Sequence, residues 1–291
     1  MAMRFTVMTG LGGVEDYPAI ATTAEDAGWT SMAIPDSLFY PEVTESEYPY
    51  MSTEAVRQVL DGVPGLEPLT AIAGLVAVTE RLQFYPAVLK VPVRQPLVLA
   101  KILASLAVMS NNRVLLGAGL SPWKEDFTYN GVDFDSRGKL MDECIAIIRA
   151  AMSGDYVEHH SDYFDFGRLK LSPVPDRPVP VLVGGHAKPA LRRAARIGDG
   201  WVSANTDYDT LRGLIATLNE LRQEHGTADR EDFQIHAYDV TARSLDDYRR
   251  LADLGVTDIC LTPWNPMDPE LARQQKLDGL KLFGEHIISA F

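Results

Sequence analysis

Two cysteines in 291 residues are too few for a disulfide framework or a cysteine-based metal site. Cys144 falls in a helical pattern and Cys260 in an apolar strand-like run, so both read as reduced core residues of a cytoplasmic protein. No apolar run is long enough to span a bilayer. The opening MAMRFTVMTG enters an apolar alternation at once, without the long apolar region and cleavage site of a signal peptide. Basic charge is scarce as well: 27 Lys and Arg against 40 Asp and Glu give a net charge of −13, which excludes the basic field that nucleic acids or anionic membranes require. The nucleophile elbow G-x-S-x-G, the phosphate loop G-x-x-x-x-G-K-[ST] and a G-x-G-x-x-G after the first strand are all missing. His159 and His160 are adjacent on a strand-like piece, so their side chains point to opposite faces and make no metal pair.

What is present is a regular alternation. Eight β-rich runs, at 4–9, 30–34, 82–89, 113–119, 180–184, 201–204, 233–240 and 257–262, are each followed by a helical pattern. The helices read as 16–27, 67–79, 96–109, 137–152, 189–197, 208–225, 245–254 and 268–289. Several strands are apolar almost throughout, as in a parallel sheet covered on both faces. The joints AEDAGWTSMAI (24–34) and LADLGVTDICL (251–261) each end a helix at glycine and open a strand, which suits a left-handed helix cap. Eight such units predict an α/β fold, a (β/α)8 TIM barrel; a doubly wound open sheet is the alternative. No linker rich in Pro, Gly and Ser divides the chain, so residues 1–291 read as a single domain.

Two connections exceed the scheme, one of residues 35–66 after strand two and one of 153–179 after helix four. Barrel enzymes build their sites from loops at the C-terminal ends of strands, and long loops in compact domains are usually functional. The first insertion starts at such an end and carries Tyr40, Tyr48 and Tyr50, a composition suited to an apolar lid; the second follows a helix and reads as a decoration or a contact between subunits. Asp36, just past strand two, is a candidate catalytic acid. In VPVLVGGHAKPALRRAARIGDGW (179–201) a strand stops at Gly184-Gly185 and a helix starts at Pro189, with no Ser, Thr, Asp or Asn between Gly184 and Leu191 to cap it. An anion there would accept the orphan N–H groups, with Lys188 adding charge; water is the alternative cap. PAVLKVPVRQP (86–96) reads as an apolar shelf for a planar ring or as a plain loop, and GAGLSPW (117–123) offers close approach at Gly117 and Gly119 with Trp123 beside it.

The stretches 85–154 and 163–201, together with EDAGWTSMAIPDS at 25–37, closely resemble the luciferase-like flavin-dependent oxidoreductases, in particular the branch that uses the deazaflavin coenzyme F420. The resemblance implies a barrel that binds F420, or FMN, at its C-terminal mouth. It implies a coenzyme phosphate at Gly184, Gly185 and His186, near Lys188, and a non-prolyl cis peptide under the ring around Ala87 and Val88, beside Gly119, Leu120 and Ser121. Relatives carry an acid followed by His after strand two; here Asp36 is followed by Ser37, so the proton donor falls to Asp36, Tyr40, Trp264 or His186. The activity implied is hydride transfer between F420 and a small organic substrate, with an FMN-dependent monooxygenase as alternative, in a homodimer packed through helices near strands two and three. A barrel lyase or isomerase gripping a substrate phosphate, with Lys90 or Asp36 doing the chemistry, and a cofactor-binding protein without catalysis complete the alternatives. Neither a metal nor a nucleic-acid or membrane partner is expected.

Overall fold

The computed structural model describes residues 3–10, 13–44, 46–49, 52–265 and 271–291. Its strands, in chain order, are β1 (Arg4–Met8), β2 (Ser31–Ile34), β3 (Gln83–Pro86), β4 (Leu89–Lys90), β5 (Leu116–Gly119), β6 (Val157–His160), β7 (Asp165–Leu169), β8 (Val181–Gly184), β9 (Gly200–Val202), β10 (Gln234–Ala237) and β11 (Asp258–Leu261). All but β6 and β7 pair in parallel in one sheet of order β3-β2-β1-β11-β10-β9-β8-β5-β4. That order returns to its start, because β4 continues β3 and a parallel bridge joins Phe84 to Val114 at the entry to β5. The expected eight-stave barrel is therefore the observed one. Its staves are short and buried on both faces; β2, for example, has no exposed residue, which is why they read as apolar runs and not as alternations.

The helices are α1 (Tyr17–Asp26), α2 (Thr53–Leu60), α3 (Pro68–Val76), α4 (Pro96–Met109), α5 (Lys124–Thr128), α6 (Arg137–Ala151), α7 (Lys188–Ile197), α8 (Tyr208–Glu224), α9 (Leu245–Asp253) and α10 (Arg273–His286). Their ends follow local chemistry. Proline occupies the first turn of α1, α3, α4 and α7, where a missing N–H costs nothing. Ser244 and Asp247 close a capping box on α9. Both glycine joints are left-handed as expected, Gly28 at φ 86° and Gly255 at φ 95°.

The differences from the sequence reading are local. Strand three is split into β3 and β4 by a cis peptide between Ala87 and Val88. Helices α2 and α5 lie in segments read as loop; Ser52 caps α2 by accepting the Ala55 N–H at 3.2 Å. The second insertion holds two strands, β6 and β7, paired as an antiparallel hairpin on the outside of α6, where His159 meets Glu143 at 2.7 Å. The last helix begins at Arg273, and residues 268–270 of its expected span lie outside the described residues.

The barrel interior is partly polar. Tyr85 hydroxyl lies 3.0 Å from His236 Nδ1 and 3.4 Å from Cys260 Sγ. His236 Nε2 faces two acceptors, Gln234 Oε1 at 2.9 Å and Asp258 Oδ2 at 3.3 Å, so it carries the proton and Nδ1 accepts from the tyrosine. Burial lowers the His236 pKa, consistent with a neutral ring. Both thiols are free and buried, and burial pushes each up to about 12, so neither is a ready nucleophile.

Candidate active site

The C-terminal ends of the staves open into a cavity of about 320 Å³, at the lower end of the range of roughly 300–1,000 Å³ usual for small-molecule sites. Three loops build its floor. Ala87 and Val88 project between β3 and β4, Leu120 and Ser121 follow β5, and Gly184 ends β8 with Gly185 after it; all six line the cavity. Glycine lets these loops meet. A Cβ on Gly119 would lie 2.2 Å from Val88 Cγ2, and one on Gly184 would lie 2.8 Å from Val88 Cγ1. The Val88 side chain thus sits in a seat made by two residues without side chains.

Gly185 has φ +119°, and a Cβ there would lie 3.0 Å from the Ala190 Cβ, so the turn requires glycine. Its carbonyl accepts the Trp201 Nε1–H at 2.9 Å. Helix α7 then starts from Ala187 in extended geometry with no side-chain cap, as the sequence predicted. Next to it, His186 Nε2 accepts the Ala204 N–H at 2.9 Å, and burial lowers its pKa, which favours the neutral form this bond needs. The turn after β8 is therefore fixed from two sides, and α7 opens without a side-chain cap: Pro189 has no N–H, Ala190 N donates to the Ala187 carbonyl at 2.8 Å, and Lys188 N is the donor left at the helix start. A backbone donor at a helix start beside a glycine cradle, with an apolar wall of Ala87, Val88 and Leu120, fits an anionic tail attached to a planar ring.

Charged groups complete the rim. The Asp36 carboxylate is fully buried; its Oδ2 accepts from Lys90 N at 2.8 Å and from Arg94 Nη1 at 2.8 Å, and its Oδ1 from Arg94 Nη2 at 3.0 Å. Burial by itself would lower the Arg94 pKa, but the hydrogen bonds and charge of Asp36, followed by Glu67, raise it above the ordinary value. Lys90 Nζ lies 2.6 Å from Asp126 Oδ2, and the Ser121 hydroxyl donates to the same oxygen. This ion pair is unlike the apolar surroundings that activate a Schiff-base lysine.

The first insertion lies over the mouth: Tyr48 and Leu60 line the cavity, and Tyr48 stacks on Trp123 with ring centroids 5.8 Å apart. Ser46 hydroxyl donates to Glu125 Oε2 at 3.2 Å and accepts from Lys124 N at 3.0 Å, which ties the insertion to α5. Tyr50 lies outside the described residues. No residue of the second insertion is on the cavity wall.

Of the expected site residues, Asp36, Ala87, Val88, Leu120, Ser121, Gly184 and Gly185 come together at the cavity, with Gly119 directly behind Val88. Tyr40, Trp264, His186 and Lys188 are not on its wall: Tyr40 hydroxyl accepts from Arg57 Nε at 3.1 Å, Trp264 packs half-buried on the core, His186 braces the turn, and Lys188 is exposed. The sequence reading missed Ser203, Ala204 and Asn205, which line the cavity after β9, and the partners Arg94 and Asp126. A strand end beside a switch to polar residues was the available signal for the first group.

With known proteins the chain compares as follows. The sequence model of the luciferase-like monooxygenases matches residues 2–277. An uncharacterized protein of Mycobacterium tuberculosis is 42% identical over 290 residues, 99% of either chain. Among solved structures, the coenzyme F420-dependent tetrahydromethanopterin reductase of Methanopyrus kandleri superposes with TM-score 0.77 at 14% identity, covering 100% of both chains. The FMN-bound oxygenating constituent of 3,6-diketocamphane monooxygenase from Pseudomonas putida does so with TM-score 0.63 at 20% identity, covering 87% of this chain and 71% of the other.

Proposed function

The chain belongs to the luciferase-like monooxygenase family, and from that premise we propose that it is an oxidoreductase that transfers a hydride between coenzyme F420 and a small organic substrate. The observation that carries this reading is the conjunction, in one cavity, of an uncapped helix start behind a glycine turn and an apolar wall at Ala87, Val88 and Leu120. The same parts suit FMN, and the fold shared with an FMN-bound monooxygenase keeps FMN as the second reading.

When bound, the coenzyme supplies the hydride chemistry; the protein supplies position and dryness. Gly184, Gly185 and the Lys188 N–H at the start of α7 would hold the anionic tail, and His186 and Trp201 keep that turn from moving. Ala87, Val88 and Leu120 back the ring. Tyr48 stacked on Trp123 covers the open side and excludes water, which strengthens every electrostatic contact inside. Asp36, with both oxygens engaged, positions Arg94 and the Lys90 backbone and does not itself move a proton.

Equilibrium titration with F420 and with FMN, read by fluorescence, tests the proposal. F420 is expected to bind saturably and at least tenfold more tightly than FMN. The reverse order makes the protein an FMN enzyme, and failure of both to bind ends the reading.

The homodimer is likewise a proposal, in a cytoplasmic setting that suits the free buried thiols. It is supported by the outer face of α4 and the turn after α3, which expose Val98, Ile102, Val108 and Met109 on the one and Val78 on the other, on a chain of net charge −13. On α4 these residues recur at helical spacing around Lys101, whose ammonium donates to the Ser172 carbonyl, and an apolar face of this kind suits a self-complementary contact with a second copy. Sedimentation of wild type at micromolar concentration should give a dimer, and Ile102→Glu with Met109→Glu a folded monomer; a monomeric wild type, or a double variant that remains dimeric, removes this interface.

A further inference from the structure

Lys90 ends β4 at the rim of the barrel, with its side chain nine-tenths buried. Lys90 and Ser121 both line the cavity, and their polar ends meet on one oxygen, Asp126 Oδ2, which lies behind them with the Asp126 side chain 1% exposed. Trp123 N donates to the Ser121 hydroxyl at 3.0 Å, so the serine is oriented to give its own proton to the carboxylate. Stability does not explain this arrangement, because a buried ion pair usually gains little over an apolar pair of similar volume. An ammonium has three N–H donors and Asp126 takes one. The cavity wall it belongs to is mixed: Val88, Leu60 and the rings of Tyr48 and Trp123 supply apolar surface, and Ser37, Ser203 and Asn205 supply neutral polar groups. A cation fixed on the wall of a largely buried cavity selects for a ligand oxygen that carries, or develops, negative charge.

The proton-donor candidates named from the sequence are engaged or lie elsewhere. Asp36 is closed by Arg94 and Lys90 N, His186 accepts from Ala204 N, and Tyr40 and Trp264 are off the wall. We propose that Lys90 is the catalytic residue that receives the substrate oxygen, and that the substrate is a carbonyl compound, or the corresponding alcohol in the reverse direction. Asp126 and Ser121 are its positioning residues. The proposal rests on the hydride-transfer reading above. In the reductive direction the carbonyl carbon takes up a hydride, two electrons and one proton, from a reduced deazaflavin or flavin. The C=O π pair moves onto oxygen, and that oxygen takes a proton from Lys90 Nζ. The product leaves as the alcohol, and the lysine amine regains its proton from water at the mouth.

Benzoate, which joins an apolar ring to a carboxylate, is the probe. Titrated into the coenzyme-free protein and followed by calorimetry and by tryptophan fluorescence, it is expected to bind saturably to the wild type. Lys90→Arg should bind it within threefold of wild type and Lys90→Met at least tenfold more weakly. Lys90→Met with Asp126→Asn removes both charges, so that no carboxylate is left buried alone, and should show the same loss. A wild type that does not bind benzoate, or a double variant that binds it within threefold of wild type, overturns the proposal. F420 and FMN affinities of the double variant should stay within threefold of wild type. If neither coenzyme binds the wild type, the hydride-transfer reading fails and the reductive step with it; if a coenzyme binds but benzoate does not depend on Lys90, only the role of Lys90 fails.

Discussion

Gly185→Asp is expected to weaken coenzyme binding at least a hundredfold, about 2.7 kcal/mol. Two effects combine. The backbone at Gly185 has φ +119°, a region that a residue with a Cβ enters only with strain, and the new Cβ would press on Ala190. The added carboxylate then stands where the Lys188 N–H and the positive end of the α7 dipole would meet the coenzyme's tail, and it repels that tail. Gly185→Ala separates the two, because it carries the conformational cost without the charge. Fluorescence titration of both variants should find Gly185→Asp at least tenfold weaker than Gly185→Ala. Equal affinities in the two variants would mean that the anion docks on another loop.

The second large effect concerns stability. Arg94→Met leaves the Asp36 carboxylate, whose side chain has no exposed surface, with the Lys90 N–H as its remaining donor. Removing one partner of a buried ion pair costs about 3–5 kcal/mol, mostly the penalty of the orphaned charge. Against a total stability on the order of 5–15 kcal/mol, that brings the barrel close to unfolding. Replacing both partners, Arg94→Met with Asp36→Asn, should recover more than half of the loss, since the stranded charge is gone. Urea denaturation of wild type and the two variants gives the three free energies. A single variant that loses less than about 1 kcal/mol would show that water or another cation reaches Asp36.

The fold was legible because its signals are local. Gly28 and Gly255 mark helix ends by their own conformational freedom, proline opens four helices, and staves buried on both faces read as unbroken apolar runs. Helix α2 escaped because its start depends on one short cap, Ser52, inside a segment full of Tyr and Pro. Half of the site was legible for the same reason: Gly184 and Gly185 announce a turn, and the missing cap on α7 is an absence that can be read directly. The ion pairs were not, because Arg94 is 58 positions from Asp36 and Asp126 is 36 positions from Lys90, and the barrel must close before either pair exists. Tyr48, not Tyr40, reaches the cavity for a similar reason. Nothing near either tyrosine in sequence says which one Trp123 will stack against.

The seat that Gly119 and Gly184 make for Val88 divides the rim into a part that must be inherited intact and a part that is free to drift. Three segments far apart in the chain share one small volume there, so a change in any of them has to be matched in the other two at the same time. Among its described residues, the insertion over the mouth meets the rim through separate side chains, with Tyr48 stacked on Trp123, Phe39 on Tyr129 and Ser46 bonded to Lys124 N, so it can be exchanged piecemeal. Directed evolution for new substrates should therefore randomise residues 37–62 and leave the glycine-bound floor alone.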